Sequence, residues 1–173
     1  MVKEKNENIL MDVKRGNESY WKKIRWLGIF LIISPIIFFL IGYILKNGGF
    51  NTIVEDFEEG MARIIQYVLF GFGVAIFFFC DGISDFLAKK FFIPTKEKFN
   101  EEEIKKNLLG YVSYTVVIMT ILDMIGIFGF FGFLICGNLT WLFVFVLLNF
   151  FMQFKYLPSP SRFQNLISQI EIK

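Results

Sequence analysis

Histidine is absent from all 173 residues. With it go the commonest metal ligand and the commonest general base near neutral pH. Cysteine is nearly absent as well, because Cys80 and Cys136 are too few and too far apart for a zinc site or a disulfide framework. Charge is missing from long stretches: the 18 basic and 16 acidic residues cluster between apolar runs. The net charge of +2 comes with no basic face of the kind a nucleic acid requires. No nucleic-acid partner and no cofactor are expected. An enzyme is not expected either, since no nucleophile, base and orienting group converge at one depth.

What the chain has instead is apolar bulk. Hydrophobic residues make up 55% of it, and Phe alone occurs 24 times. One domain's worth of soluble chain cannot bury that much apolar side chain, so lipid must solvate part of it. Charge segregated between long apolar windows is the mark of a multi-pass membrane protein. The polar N-terminal stretch, followed by an over-long apolar run with no small-x-small site, does not read as a cleavable signal peptide. The first apolar run is expected to stay as a signal anchor.

The spacing predicts an all-α fold, a four-helix transmembrane bundle made of two helical hairpins. Residues 1–25 form a polar, partly disordered cytoplasmic segment in which Gly16 and Asn17 interrupt any helix. Residues 26–157 form the transmembrane domain, with spans at about 26–45, 64–80, 109–136 and 139–154. Residues 158–173 form a cytoplasmic amphipathic tail. Pro35 should kink the first span. The second helix should run on to Lys90, with Pro94 stopping it. Asn100 followed by Glu101, Glu102 and Glu103 marks a helix start, and that helix should continue unbroken into the third span. Gly137-Asn138 is a tight turn. Ser161 and Gln164 read as a capping box for a terminal helix. Phe163, Leu166, Ile167 and Ile170 share one face of it, which lies on the membrane or against the bundle, or frays.

Orientation follows from Lys and Arg. With both termini inside (N-in, C-in), sixteen of the 18 fall in cytoplasmic segments and only Lys46 and Arg63 outside, a decisive asymmetry under the positive-inside rule. Aromatic belts are expected at the two headgroup levels: Tyr20, Trp21, Trp26, Tyr111, Tyr114 and Tyr156 inside, Tyr43, Tyr67 and Trp141 outside. The expected location is the cell membrane, multi-pass.

Asp123 is the leading candidate for a functional residue. It falls near the middle of the third span, roughly 20 Å deep at about 1.5 Å per residue. A charge at a span centre costs about 2.5–3.5 kcal/mol on insertion scales. Thr120 precedes it by one turn, and Asn149 and Gln153 fall at comparable depth on the fourth helix. Those four residues are the candidate ion-binding set. The competing account is interhelical glue. Gly126, Gly129 and Gly132, and the small-xxx-small pair Gly71 and Ala75, are candidate helix-packing positions, within the bundle or between copies. Asp81 and Asp85, four residues apart, read as a solvated helix end rather than a cation site.

The run "ILDMIGIFGFFGFLICGN" and the later "YLPSPSRF" resemble a motif in a group of uncharacterised bacterial four-helix membrane proteins. There an intramembrane acid is followed six residues on by Gly, then a small turn, a last Phe- and Leu-rich helix and a Pro-containing basic segment. Asp123, Gly129 and Gly137-Asn138 occupy the corresponding positions, with Asp where that group usually has Glu. The same stretch is similar to the carboxylate helix of rotary ATPase proteolipids. That resemblance implies an acid binding H⁺ or Na⁺ in an oligomeric ring. It departs from them in its Phe-rich helices and in carrying the acid on the first helix of its hairpin. Two functions are therefore expected: a non-enzymatic structural or interaction component that packs with itself or a membrane-protein partner, or an ion- or proton-handling protein centred on Asp123.

Overall fold

In the computed structural model, residues 18–49, 59–92 and 101–171 are described. They form five helices: α1 Glu18–Asn47, α2 Glu59–Phe91, α3 Glu101–Cys136, α4 Leu139–Lys155 and α5 Pro160–Glu171. There is no strand among the described residues. Three helices, over Trp21–Asn47, Gly60–Phe91 and Lys105–Cys136, are long and apolar enough to cross a membrane. The 17-residue α4 passes the same test only together with α5, from which a bend separates it, giving up to four spans. The fold is that of a multi-pass helical membrane protein.

The helix ends follow local chemistry. Helix α1 begins directly after Gly16-Asn17, eight residues before the expected start of the span, so residues 18–25 are helical rather than an irregular polar segment. It continues as one helix through Pro35. Helix α2 runs through Asp81 and Gly82 to Phe91, and α3 runs unbroken from the three glutamates to Cys136. Asn100, Pro94 and residues 1–17 lie outside the described residues.

Gly137 closes α3 with φ 63°, its N–H donating to Phe133 O at 2.7 Å; only a residue without Cβ takes that left-handed angle at low cost. Asn138 Oδ1 then accepts the Thr140 N–H at 3.0 Å, capping α4. The cap of α5 differs from the expected one: Ser159 Oγ, not Ser161, accepts the Arg162 N–H at 3.2 Å. Pro160 is the reason. It has no N–H to satisfy and a preset φ, which suits the first helical position, so the capping residue falls immediately before it.

The chain divides into two compact units. The first comprises Met1–Ile29, Gly82–Ile118 and Tyr156–Lys173. Its centre is aromatic. The Trp21 ring lies 5.8 Å from Tyr111 and 5.6 Å from Phe163, and Tyr111 lies 5.2 Å from Phe163. Phe92 meets Tyr111, Tyr114 and Phe163. Hydrogen bonds hold the polar edges: Ser84 Oγ to Tyr114 Oη at 2.6 Å, and Tyr111 Oη both accepting from Ser159 N at 3.1 Å and donating to Ser159 O at 3.3 Å. The Arg162 guanidinium lies over the Tyr156 ring at 4.1 Å, a cation–π contact. Gly110 lets the Phe91 carbonyl approach where a Cβ would collide.

Of the alternatives for the terminal helix, packing on protein is the one seen, with Phe163, Leu166 and Ile167 buried within this unit; the side chain of Ile170 lies outside the described residues. One expectation changes. The inner aromatic belt is mostly a protein core. Trp21, Tyr111, Tyr114 and Tyr156 are buried, and of the described inner set only Trp26, 63% exposed, faces outward. An aromatic residue near a span end satisfies the headgroup pattern and a buried cluster equally well, so composition alone does not separate them. Tyr111→Phe removes both bonds to Ser159 while keeping the ring. It is expected to cost about 1 kcal/mol, read as a lowered unfolding midpoint of purified protein; no change would show the Tyr111 hydroxyl to be idle.

The second unit comprises Phe30–Asp81 and Met119–Lys155. Phe133, Leu142 and Val146 form its core, with Phe39, Leu45, Phe130, Leu134 and Leu139 packed against it. Phe145 stands edge-on to Phe70, at 5.9 Å, and beside Trp141, at 6.2 Å. Glycines make these approaches possible: Gly129 and Gly73 both face Phe145, and Gly42 faces Leu142. The outward surface is apolar too. Ile44, Phe72, Phe78, Phe79, Phe151 and Phe154 are all exposed. A surface of that composition is stable against acyl chains and not against water.

Candidate functional site

Asp123 lies in the second unit, on α3, at the meeting of three helices. Its Oδ1 accepts the Ser34 hydroxyl from α1 at 2.5 Å. It also accepts Gln153 Nε2 from α4, and Asn149 Nδ2 from α4 at 3.5 Å. Asn149 and Gln153 are 0% exposed, and their spacing of four residues puts both amides on one face of α4. Asn149 Oδ1 and Gln153 Oε1, the other ends of those amides, are buried with no hydrogen-bond partner. A carboxyl, a hydroxyl and two amides are thus gathered in an apolar surround, with donors turned toward Asp123 and two carbonyl oxygens unmatched.

Of the residues singled out from sequence, the structure brings Asp123, Asn149 and Gln153 together and leaves Thr120 out. Thr120 is exposed, and the side chains bonded to Asp123 are Ser34, Asn149 and Gln153. Sequence spacing missed Ser34, the only hydroxyl besides Tyr43 between Arg25 and Lys46. A polar residue beside a proline in an apolar run is the signal it left, and nothing in the spacing links it to Asp123, 89 residues away.

The site lies near a charged pair. Asp123 bonds Gln153, two residues before the exposed Lys155, and Lys155 Nζ donates to both oxygens of Asp81 at 2.8 and 2.9 Å. Along α4 the site is therefore about 3 Å of helical rise from a charged pair. Along α3 it is 13 residues, about 20 Å, from Cys136. Within the second unit the acid stands toward the end that carries Asp81 and Lys155. Asp81 is occupied by Lys155, and Asp85 is exposed; among the described residues no group of three or more His, Cys, Asp and Glu could hold a metal ion.

The packing glycines sort into two kinds. Gly126 faces Asn149 and Phe38, Gly129 faces Phe145, and Gly132 lies near Leu69, so this run spaces helices within the unit. Gly71 has nothing within 4 Å of where a Cβ would be, and it is exposed; Ala75 is half-buried. Cys80 is buried and Cys136 half-buried, and neither is bridged. No family model matches the chain, and no characterised protein or solved structure does.

Proposed function

We propose that the protein is a cell-membrane component that crosses the bilayer four times as two helical hairpins forming a bundle, with both termini in the cytoplasm. Its role is non-enzymatic: it packs against a second copy of itself through the outward face of α2. Charge supports the orientation. Sixteen of the 18 Lys and Arg fall before the first expected span, between the second and third, or after the fourth, and only Lys46 and Arg63 elsewhere, the asymmetry that the positive-inside rule reads as cytoplasmic.

The observation that carries the association is the open glycine face of α2. Gly60, Gly71 and Gly82 recur every eleven residues, and each has open space where a Cβ would project. Eleven residues is close to three turns of helix, so the three lie on nearly one face. Exposed Ile64, Phe78 and Phe86 stand between and beyond them. Gly71 is the one of the three inside the expected span of 64–80, where small residues allow helices to associate in lipid by close backbone approach; Gly126, Gly129 and Gly132 of α3 face side chains of their own unit.

Two measurements test this. Impermeant thiol reagents applied to intact cells should label Cys introduced at Asn138 and not at Lys90; the reverse pattern would invert the topology. In a variant lacking Cys80 and Cys136, oxidation in native membranes should cross-link Gly71→Cys into a dimer and leave Ile36→Cys, on the exposed face of α1, monomeric. Equal cross-linking at both positions, or none at Gly71→Cys, would remove the α2 interface.

A further inference from the structure

The polar cluster around the half-buried Asp123 leaves two of its acceptor oxygens unmatched. The hydroxyl of Ser34 and the amide nitrogens of Asn149 and Gln153 all donate to one oxygen, Asp123 Oδ1. The amide oxygens of Asn149 and Gln153 have no partner, although both residues are 0% exposed. An unmatched buried acceptor is costly, and two on adjacent turns of one helix are both met by a common positive partner. We propose that Asp123, Ser34, Asn149 and Gln153 form a binding site for one monovalent cation, a site independent of the α2 association.

Three features select that ligand class. The donor set is oxygen only: a carboxylate, a hydroxyl and two amide carbonyls. These are the groups that bind hard cations and replace their hydration shell, while the His and Cys that soft or transition metals favour are absent from the cluster. The second feature is charge. Asp123 is the one ionisable side chain of the cluster, so a single positive charge neutralises it, whereas a divalent ion would leave a net charge in an apolar surround.

The third feature is placement. The amide nitrogens of Asn149 and Gln153 are taken up by Asp123 Oδ1, so their carbonyl oxygens, unmatched as they stand, are available to a cation beside the carboxylate without any turning of the amides.

Access is consistent with this. The cluster lies two residues along α4 from the exposed Lys155, whose charge is paired to Asp81. The groups bonded to Asp123 from α1 and α4 are neutral, so the carboxylate is not already matched by a Lys or Arg within the cluster.

The test uses the full-length protein in detergent or in nanodiscs of zwitterionic lipid, with ionic strength held by choline chloride. Replacing choline by Na⁺, Li⁺ or K⁺ should raise the thermal unfolding midpoint saturably, by roughly 5 °C or more once the ion exceeds its Kd about 100-fold. The response should be lost in Asp123→Asn, and Ser34→Ala or Gln153→Leu should shift the half-saturating concentration at least tenfold upward. The last two keep the acid, so the test survives if Asp123→Asn does not fold.

If the cation is the proton, no metal ion will act. The midpoint in choline will instead rise as pH falls from 9 to 5, in the wild-type protein and not in Asp123→Asn. Absence of both responses, or identical responses in wild type and all three variants, would leave only a structural water on the amide oxygens and overturn the site.

Discussion

Gly129→Ala is expected to destabilise the protein by about 1–3 kcal/mol, while Gly71→Ala is expected to be neutral or to stabilise it by up to roughly 1 kcal/mol. The substitutions are chemically identical and both fall in helix interiors, so only packing separates them. At Gly129 a Cβ would fall inside contact distance of Phe145 Cβ and Cγ. Phe145 Cβ, the nearer of the two, is fixed by the α4 backbone and has no rotamer by which to retreat. Phe145 is itself wedged between Phe70 and Trp141 and against Gly73, so the strain passes to three helices. At Gly71 the added methyl meets nothing within 4 Å, and what remains is the lower conformational entropy of Ala in the unfolded chain. Equilibrium unfolding in micelles, at protein concentrations low enough to be monomeric, reads both. Equal values for the two variants would mean that Phe145 does not pack on Gly129.

Asp123→Leu is the second substitution expected to have a large effect, a loss of about 1–3 kcal/mol. Leucine fills the space and suits lipid, so a simple hydropathy argument predicts stabilisation. The structure predicts the opposite sign, because the half-buried Ser34 hydroxyl and the fully buried Gln153 amide lose their acceptor. Asn149 Nδ2 at 3.5 Å is at the weak end of hydrogen-bond geometry and contributes least. Asp123→Asn retains a carbonyl oxygen for the same donors and should cost under about 1 kcal/mol. Unfolding of the two variants side by side decides the matter. A Leu variant at least as stable as wild type would show that the carboxyl ties no helices together.

The segments that sequence reasoning handled best are those whose chemistry is local. Helix α3 could be read from three glutamates at its start to the glycine that ends it, since charge near a helix N-terminus and a left-handed closing residue act within a single turn. The same holds for the continuation of α2 to Phe91 and for the Gly137-Asn138 turn. Where a second element competes for the same signal, the reading failed. The Ser161 cap lost to Ser159 because Pro160 claimed the first helical position. Trp21, Tyr111 and Tyr156 matched a headgroup belt by position and are packed on protein, which no one-dimensional pattern distinguishes.

The candidate site divides in the same way. Sequence alone determined that Asp123 is an expensive group in an apolar helix, and that Asn149 and Gln153 share a face of α4, because helical periodicity places residues four apart on one side. It also determined the long apolar runs and the segments between them where Lys and Arg accumulate, since these depend only on composition along the chain. Tertiary structure alone decided that Ser34 completes the cluster and Thr120 does not. It put the acid beside the charged Lys155 end of α4, and it turned Gly126, Gly129 and Gly132 inward while leaving Gly71 open. Each of these is a contact between helices far apart in sequence. Such contacts depend on how the side chains of one helix fill the spaces of the next, and that information is absent from any single helix.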